Sequence, residues 1–330
     1  MLKTYKVFGS EMSPYSVKVR SYFRYKEIPH EWISRRPAVE EEYRRYAKLP
    51  IIPTIVTPDD EGIQDSTPII ERLESEFPAR AIHPTDPGLA FLSCLIEEFG
   101  DEWGNKLMFH HRWWDEVDKR ASARTIARLL FPDGTEEEVE NTYKAVLQRM
   151  SGRGGFVGSS TETAALISGY FVELLDMLEA HLVGRKYLFG GRPTFGDFGL
   201  FAQIYEASVD PTCGGIIRAR GPHVLDWCFR MIEPRNDGAF ESWDTLKPTM
   251  EPILRYIGRY FLPWTTANAE ALKEEKDQFS VTLAGKIYTQ APQKYHAKSL
   301  QALKARFKGV ANDRVLASIL NDTGCLNWLI

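Results

Sequence analysis

Apolar positions in the first 75 residues change period several times, and each change marks a new element. Residues 3–8 alternate as a strand. Ser13-Pro14 then marks a helix start, with Ser at the N-cap and Pro at the first helical position. Tyr15, Val19 and Tyr22 follow at helical spacing, and Val19 with Phe23 adds an i,i+4 pair. Residues 28–33 predict a second strand, parallel to the first, and the charged residues 38–47 predict a short exposed helix. Thr54-Ile55-Val56-Thr57, the turn Asp59-Asp60-Glu61-Gly62 and Ile63-Gln64 predict a hairpin. Ser66-Thr67-Pro68 opens a helix running to about Phe77. The order is β-α-β-α-β-β-α.

That order is thioredoxin-like. Pro78, Pro84, Pro87 and Gly88 then mark a linker, after which strand patterns give way to helical ones. Residues 89–116, 120–131, 135–151, 161–183, 195–209 and 222–233 carry helical periodicity and predict a bundle. Thr194 and Asp197 fit a [ST]-x-x-[DE] capping box, which reports a helix start and no chemistry. Further on, residues 248–260, 267–278 and 293–307 predict helices. Residues 281–283 and 286–288, on either side of Gly285, predict a small hairpin. The predicted fold class is α/β plus all-α. A thioredoxin-like domain spans residues 1–80, an all-helical domain residues 89–240, and a mostly helical C-terminal extension, residues 241–330, packs on the helical domain.

Composition narrows the function classes. A chain of 330 residues, 43% hydrophobic and 26% charged, is long enough for two cores. The formal net charge of -4 argues against a general polyanion-binding surface, so no nucleic acid is expected as a partner. No apolar run approaches the ~20 residues that span a bilayer, and the N-terminus is too short and polar for a signal peptide. No membrane association is expected. The four cysteines, Cys94, Cys213, Cys228 and Cys325, form no CxxC and have no metal-ligand spacing. They fit a reducing, cytoplasmic location. Adjacent His110 and His111 project about 100° apart on a helix and there is no HExxH motif, so no metal is expected.

Three short pieces carry the candidate chemistry: Ser13-Pro14-Tyr15-Ser16, Ile52-Pro53 and Gln64-Asp65-Ser66-Thr67. Each lies where a strand meets a helix or a loop enters a strand. With the helical second half and the Thr194–Asp197 box, they make residues 3–235 resemble the cytosolic glutathione transferases. SPYSVKVR looks like the serine-type members, and Ser13 falls on their activating residue. Ile52-Pro53 matches the step that is a cis-proline in that family. Asp65-Ser66 matches its acidic-Ser step before the third helix.

The resemblance implies glutathione as co-substrate and a hydrophobic electrophile as its partner, in a homodimeric detoxification enzyme. Ser13 would hydrogen-bond the thiolate at a helix N-terminus, with Ser16 one turn later as the second candidate and Tyr15 beside them. Ile52 and Pro53 would pair with the cysteinyl backbone. Ser66 and Thr67 would receive the γ-glutamyl carboxylate and Asp65 its amine, with Gln64 adjacent and Lys48 in reach of the other carboxylate. Plain capping is the alternative for these Ser and Thr residues, and capping and ligand binding can coexist. Met108 and Arg112 share a helix face with Glu98, Asp101 and Asn105, and serve either as electrophile-pocket residues or as buried salt-bridge scaffolding. The alternatives are a non-catalytic glutathione-binding or interaction module of the same fold, or a glutathione-dependent isomerase or reductive enzyme. No cysteine precedes Cys94, which argues against disulfide exchange at Ser13.

Overall fold

The computed structural model describes residues 4–330, so Lys3 of the first predicted strand lies outside the described residues. Its N-terminal part runs β1 (Tyr5–Gly9), α1 (Pro14–Tyr25), β2 (His30–Ser34), a 3-10 turn into α2 (Glu40–Tyr46), β3 (Thr54–Val56), β4 (Gly62–Gln64) and α3 (Ser66–Glu76). The sheet order is β2-β1-β3-β4, with β2 parallel to β1 and the β1–β3 and β3–β4 pairs antiparallel. This is the thioredoxin-like arrangement predicted from the element order.

The helical part comprises α4 (Pro87–Phe99), a π-helical turn (Gly100–Gly104), α5 (Asn105–Trp114), α6 (Glu116–Leu130), α7 (Glu136–Ser151), α8 (Ala164–Leu182), α9 (Phe195–Val209), α10 (Pro211–Arg220) and α11 (Pro222–Ile232). At the start of α9 the capping box forms as predicted. The Thr194 N–H donates to Asp197 Oδ2 at 2.8 Å, and the Asp197 N–H reaches back to Thr194 Oγ1. Asp197 Oδ1 also accepts from the Leu188 N–H and from Trp227 Nε1, which ties α9 to α11 inside the core.

One continuous helix over 89–116 is the sequence expectation, and the structure breaks it with the π turn. The reason is close packing. α4 crosses α9 through glycines on both helices, and a Cβ on Gly100 would lie 2.5 Å from the Leu200 nitrogen. One on Gly199 would lie 2.8 Å from the Glu97 carbonyl oxygen. The extra residue in the π turn rotates α5 relative to α4, so a uniform 3.6-residue projection fails across it.

Helix α10 was not predicted, because Gly214-Gly215 interrupts its pattern, although Pro211 sits correctly at its first turn. The helix expected to start at Pro248 starts instead at Trp243, and Pro248 and Pro252 lie inside it. Four residues apart, the two prolines share the exposed face, where the carbonyls they leave unpaired meet water.

The C-terminal segment continues with α12 (Trp243–Tyr256), α13 (Leu262–Lys273), the hairpin β5 (Phe279–Leu283) and β6 (Lys286–Gln290), α14 (Lys294–Val310), α15 (Arg314–Asp322) and α16 (Leu326–Leu329). The hairpin turn has positive φ at both Ala284 and Gly285, the pattern of a tight two-residue turn. It closes over Lys106, whose buried ammonium donates to the Val157 carbonyl and to Gln290 Oε1 beside the Trp264 ring. Helix α14 runs antiparallel to α4. Phe307 packs on Phe91, Ser299 bonds Glu98 and His296 bonds Glu102. The segment also touches the N-terminal part, through Arg306 to Glu71 and Tyr295 to Asp65. One apolar core joins all three parts, from Val7 and Val19 through Leu92, Trp103 and Leu200 to Trp264 and Leu320.

A methyl group at Gly100 has only α9 backbone to meet. Gly100→Ala is therefore expected to destabilise the fold by about 2–4 kcal/mol in denaturant titrations. A loss below about 0.5 kcal/mol would show that the α4–α9 crossing tolerates separation.

Candidate functional site

Strand register brings the three sequence pieces together. Phe8 pairs with Thr54, and Thr54 with Gln64. One step further, this register sets Gly9, Pro53 and Asp65 side by side at one end of the sheet. The loop carrying Ser13 follows Gly9, Ile52 precedes Pro53, and Ser66 follows Asp65. The Ile52-Pro53 bond is cis.

The Ser13 loop is pinned on several sides. The Ser13 N–H donates to the Ser10 carbonyl at 3.2 Å, and Met12 N–H to Ser10 Oγ at 3.3 Å. Glu11 pairs with Arg20, which lies over the Trp32 ring at 4.4 Å. Gly9 allows the approach, because a Cβ there would lie 2.3 Å from the Trp32 ring and 2.9 Å from Ser16 Cβ. Ser13 Oγ caps α1 by accepting from the Ser16 N–H at 3.4 Å, so its own hydrogen remains available to donate. Ser13 is partly exposed. Ser16 is 0% exposed, and its hydroxyl is enclosed with no protein partner. Tyr15 donates its hydroxyl to the Asp101 carbonyl at 2.9 Å and ties α1 to the π turn.

Asp65 adopts φ 78° and ψ 129°, a backbone region that non-glycine residues rarely occupy. Such geometry is concentrated at ligand clamps and switches. Gln64 does not reach into open space. Its side-chain oxygen accepts from the Lys48 and Leu49 N–H groups, and its amide nitrogen donates to the Leu49 carbonyl at 2.8 Å and Thr54 Oγ1 at 3.0 Å. It thereby fixes the loop ahead of Ile52. Lys48 is exposed at the start of that loop.

Behind Ser66 and Thr67 lies a residue that sequence reasoning missed. Lys18 is 0% exposed; its ammonium donates to Glu97 Oε1 at 2.5 Å, Asp101 Oδ2 at 2.6 Å and Thr67 Oγ1 at 3.1 Å, and lies 3.4 Å from Ser66 Oγ. Thr67 Oγ1 in turn donates to Glu97 at 2.6 Å. The two hydroxyls are thus already engaged inward, on a charged network. The only signal was Asp101 on a face offered as salt-bridge scaffolding, where Arg112 rather than Lys18 was the cation in view. Burial opposes the charge on Lys18, but Asp101 and Glu97 outweigh it and raise its pKa. Burial pushes the Asp101 carboxyl up to about 8, against the pull of Lys18.

The structure sets Arg112 apart from any pocket wall. Its buried guanidinium donates to Glu206 Oε2 at 2.7 Å, Asp210 Oδ2 at 2.8 Å and the Met12 carbonyl at 3.1 Å. These are the bonds of a buried salt-bridge scaffold. It holds the Ser13 loop against the helical part. Met108 is 3% exposed and belongs to the core. His110 stacks on Trp114 at 5.2 Å and bonds Ser159 Oγ at 2.7 Å. All four cysteines are free and buried, and no helix among the described residues is long and apolar enough to cross a membrane.

The buried carboxyls give a pH signature. Burial raises folded Asp101 to about 8, above the unfolded value of 3.8, against the pull of Lys18. The folded state therefore binds more protons between those values, and stability falls as pH rises through them. Glu206, pushed up to about 7 by burial, acts in the same direction. Buried His110 and His181, pushed down to about 3 and 4, oppose this only below their unfolded value of 6.5. Buried Lys106, lowered well below its usual value by burial, opposes this in both proteins, so from pH 6.5 to 8 the unfolding free energy should change with a more negative slope in the wild-type chain than in Asp101→Asn. Urea titrations across that window check this; identical slopes in the two proteins would contradict it.

A sequence model of the glutathione S-transferase N-terminal domain matches residues 7–81, and one of the C-terminal domain matches residues 133–228. Among solved structures, a beta-etherase from Sphingobium sp. strain SYK-6 is similar at 19% identity, covering 76% of this chain and 99% of that one with a TM-score of 0.50. A glutathione S-transferase from Methylobacterium radiotolerans JCM 2831, in complex with glutathione sulfonate, is similar at 19% identity, 72% and 97% coverage and a TM-score of 0.41. A glutathione S-transferase from Methylobacillus flagellatus KT with glutathione bound is similar at 17% identity, 69% and 95% coverage and a TM-score of 0.42. No curated protein sequence matches. With matched domains covering more than half of its length and the sheet, helix order and capping box of both, the chain belongs to the glutathione transferase superfamily.

Proposed function

We propose that the chain binds glutathione along the sheet end formed by Ser13, Ile52-Pro53 and Asp65-Ser66, and conjugates its thiolate to a hydrophobic electrophile. The observation that supports this best is the shared register of the three pieces. Their spatial order is that of a thiol, a cysteinyl backbone and a γ-glutamyl head in one extended ligand. Ile52, two residues beyond the paired end of β3, offers its backbone to the cysteinyl residue in the manner of a strand edge. The first turn of α3 presents backbone N–H groups and a favourable dipole to the γ-glutamyl carboxylate. Lys18 places a positive charge just behind that turn. Asp65 takes the ammonium group.

Ser13 is the thiolate donor in this reading, because its hydroxyl is partly exposed while that of Ser16 is sealed. A free thiol has a pKa near about 8.5, so only a few per cent is thiolate at neutral pH. The Ser13 O–H and the α1 N-terminus both favour the anion. A lowering of about two units corresponds to about 2.7 kcal/mol of preferential stabilisation. The bound thiol gives its proton to solvent, and the sulfur then forms a bond to the electrophilic carbon held beside it while the bond from that carbon to its leaving group breaks, the halide of a dinitrophenyl halide departing with the electron pair. The residues pinning the Ser10–Ser13 loop keep the donor in position.

Ser13→Ala is expected to return the bound thiol to near its free pKa, read from thiolate ultraviolet absorbance across pH. It should slow conjugation of a dinitrophenyl halide by about 100-fold at a pH below the free thiol value, since the rate follows thiolate fraction. Ser16→Ala should leave the thiol pKa in place. Tight glutathione binding with an unshifted thiol in the wild-type chain would instead indicate a non-catalytic binding module.

A further inference from the structure

The C-terminal segment, which lies beyond both matched domain ranges, reaches the proposed glutathione site at one atom pair. The Tyr295 hydroxyl donates to Asp65 Oδ2 at 2.8 Å. Two residues of α14 close by hold the same end of the molecule: His296 bonds Glu102, and Ser299 bonds Glu98. Leu300, Leu303 and Phe307 anchor the rest of α14 in the core. Tyr295 is therefore carried on a docked helix, and the residue is still 51% exposed.

From this contact we infer that Tyr295 is a positioning residue of the glutathione site, holding Asp65 for recognition of the γ-glutamyl ammonium group. The inference rests on the function proposed above. Asp65 occupies a rare backbone conformation ahead of α3, with the Thr67 N–H of that helix beside its carboxylate. Tyr295 supplies an external hold on the carboxylate. It takes one oxygen and leaves the other for a ligand ammonium. The surroundings are acidic: Glu97, Glu98, Asp101 and Glu102 lie on α4 and the π turn, with the Lys18 ammonium paired to Glu97 and Asp101. A phenol adds no charge that would compete with the ligand amine, and it donates a hydrogen that a carboxylate accepts strongly. In this chain the segment absent from the matched domains thus completes the amine end of the site.

Calorimetric titration of the full chain with two ligands tests this. The ligands are glutathione and glutaryl-cysteinylglycine, which lacks only the α-amino group. Tyr295→Phe is expected to weaken glutathione about fivefold to tenfold and to leave glutaryl-cysteinylglycine within about twofold. In an Asp65→Asn background, Tyr295→Phe should then cost no further glutathione affinity. Equal weakening of both ligands, no weakening, or tighter glutathione binding would overturn the assignment while leaving the proposed site standing. Absence of glutathione binding by the wild-type chain would overturn both. Tyr295→Phe keeps the ring, and its thermal midpoint confirms that α14 stays docked.

Discussion

A single buried ammonium group holds the candidate site together. Lys18 on α1 meets Glu97 and Asp101 from α4 and the π turn, and the hydroxyls that open α3, with the Phe195 ring of α9 at 5.4 Å. Removing such a charge from water costs several kcal/mol, repaid only when every partner is in place. The positions of α1, α3 and α4 are therefore mutually dependent. Through α1 this sets Ser13, and through α3 it sets Asp65 and Ser66. Arg112 repeats the device on the other side, joining Glu206 and Asp210 to the loop that carries Ser13. Both ends of the ligand site are thus fixed by ion networks that cross between the thioredoxin-like and helical parts.

The thioredoxin-like order was legible in the sequence because its signals are local. A Ser-Pro helix start, a hairpin turn and an alternating strand each declare themselves within a few residues. Register then did the rest, since pairing Phe8 with Thr54 and Thr54 with Gln64 leaves only one place for the three pieces to meet. The Thr194–Asp197 box was legible for the same reason.

What escaped the sequence depends on distant contacts. Lys18 stands between Val17 and Val19, and nothing local distinguishes it from a solvated lysine; its burial comes from Glu97 and Asp101, about 80 residues away. Arg112 was left between two roles, because its partners Glu206 and Asp210 lie about 95 residues away. The π turn at 100–104 is forced by the α9 backbone, so no periodicity within α4 could announce it. Gln64 fits a ligand contact in one dimension and is a loop clamp in three. Tyr295 carried no sequence signal at all, since its partner Asp65 lies 230 residues earlier.

The central claim is that one extended tripeptide thiol lies along the sheet end, from Ser13 past Ile52 to Asp65 and Ser66. A crystal structure of the full chain with glutathione tests it most directly. The account predicts the sulfur within hydrogen-bonding distance of Ser13 Oγ, the cysteinyl backbone paired with Ile52, and the γ-glutamyl carboxylate at the first turn of α3. Glutathione bound elsewhere, or a cleft that stays closed to it at saturating concentration, would contradict the account.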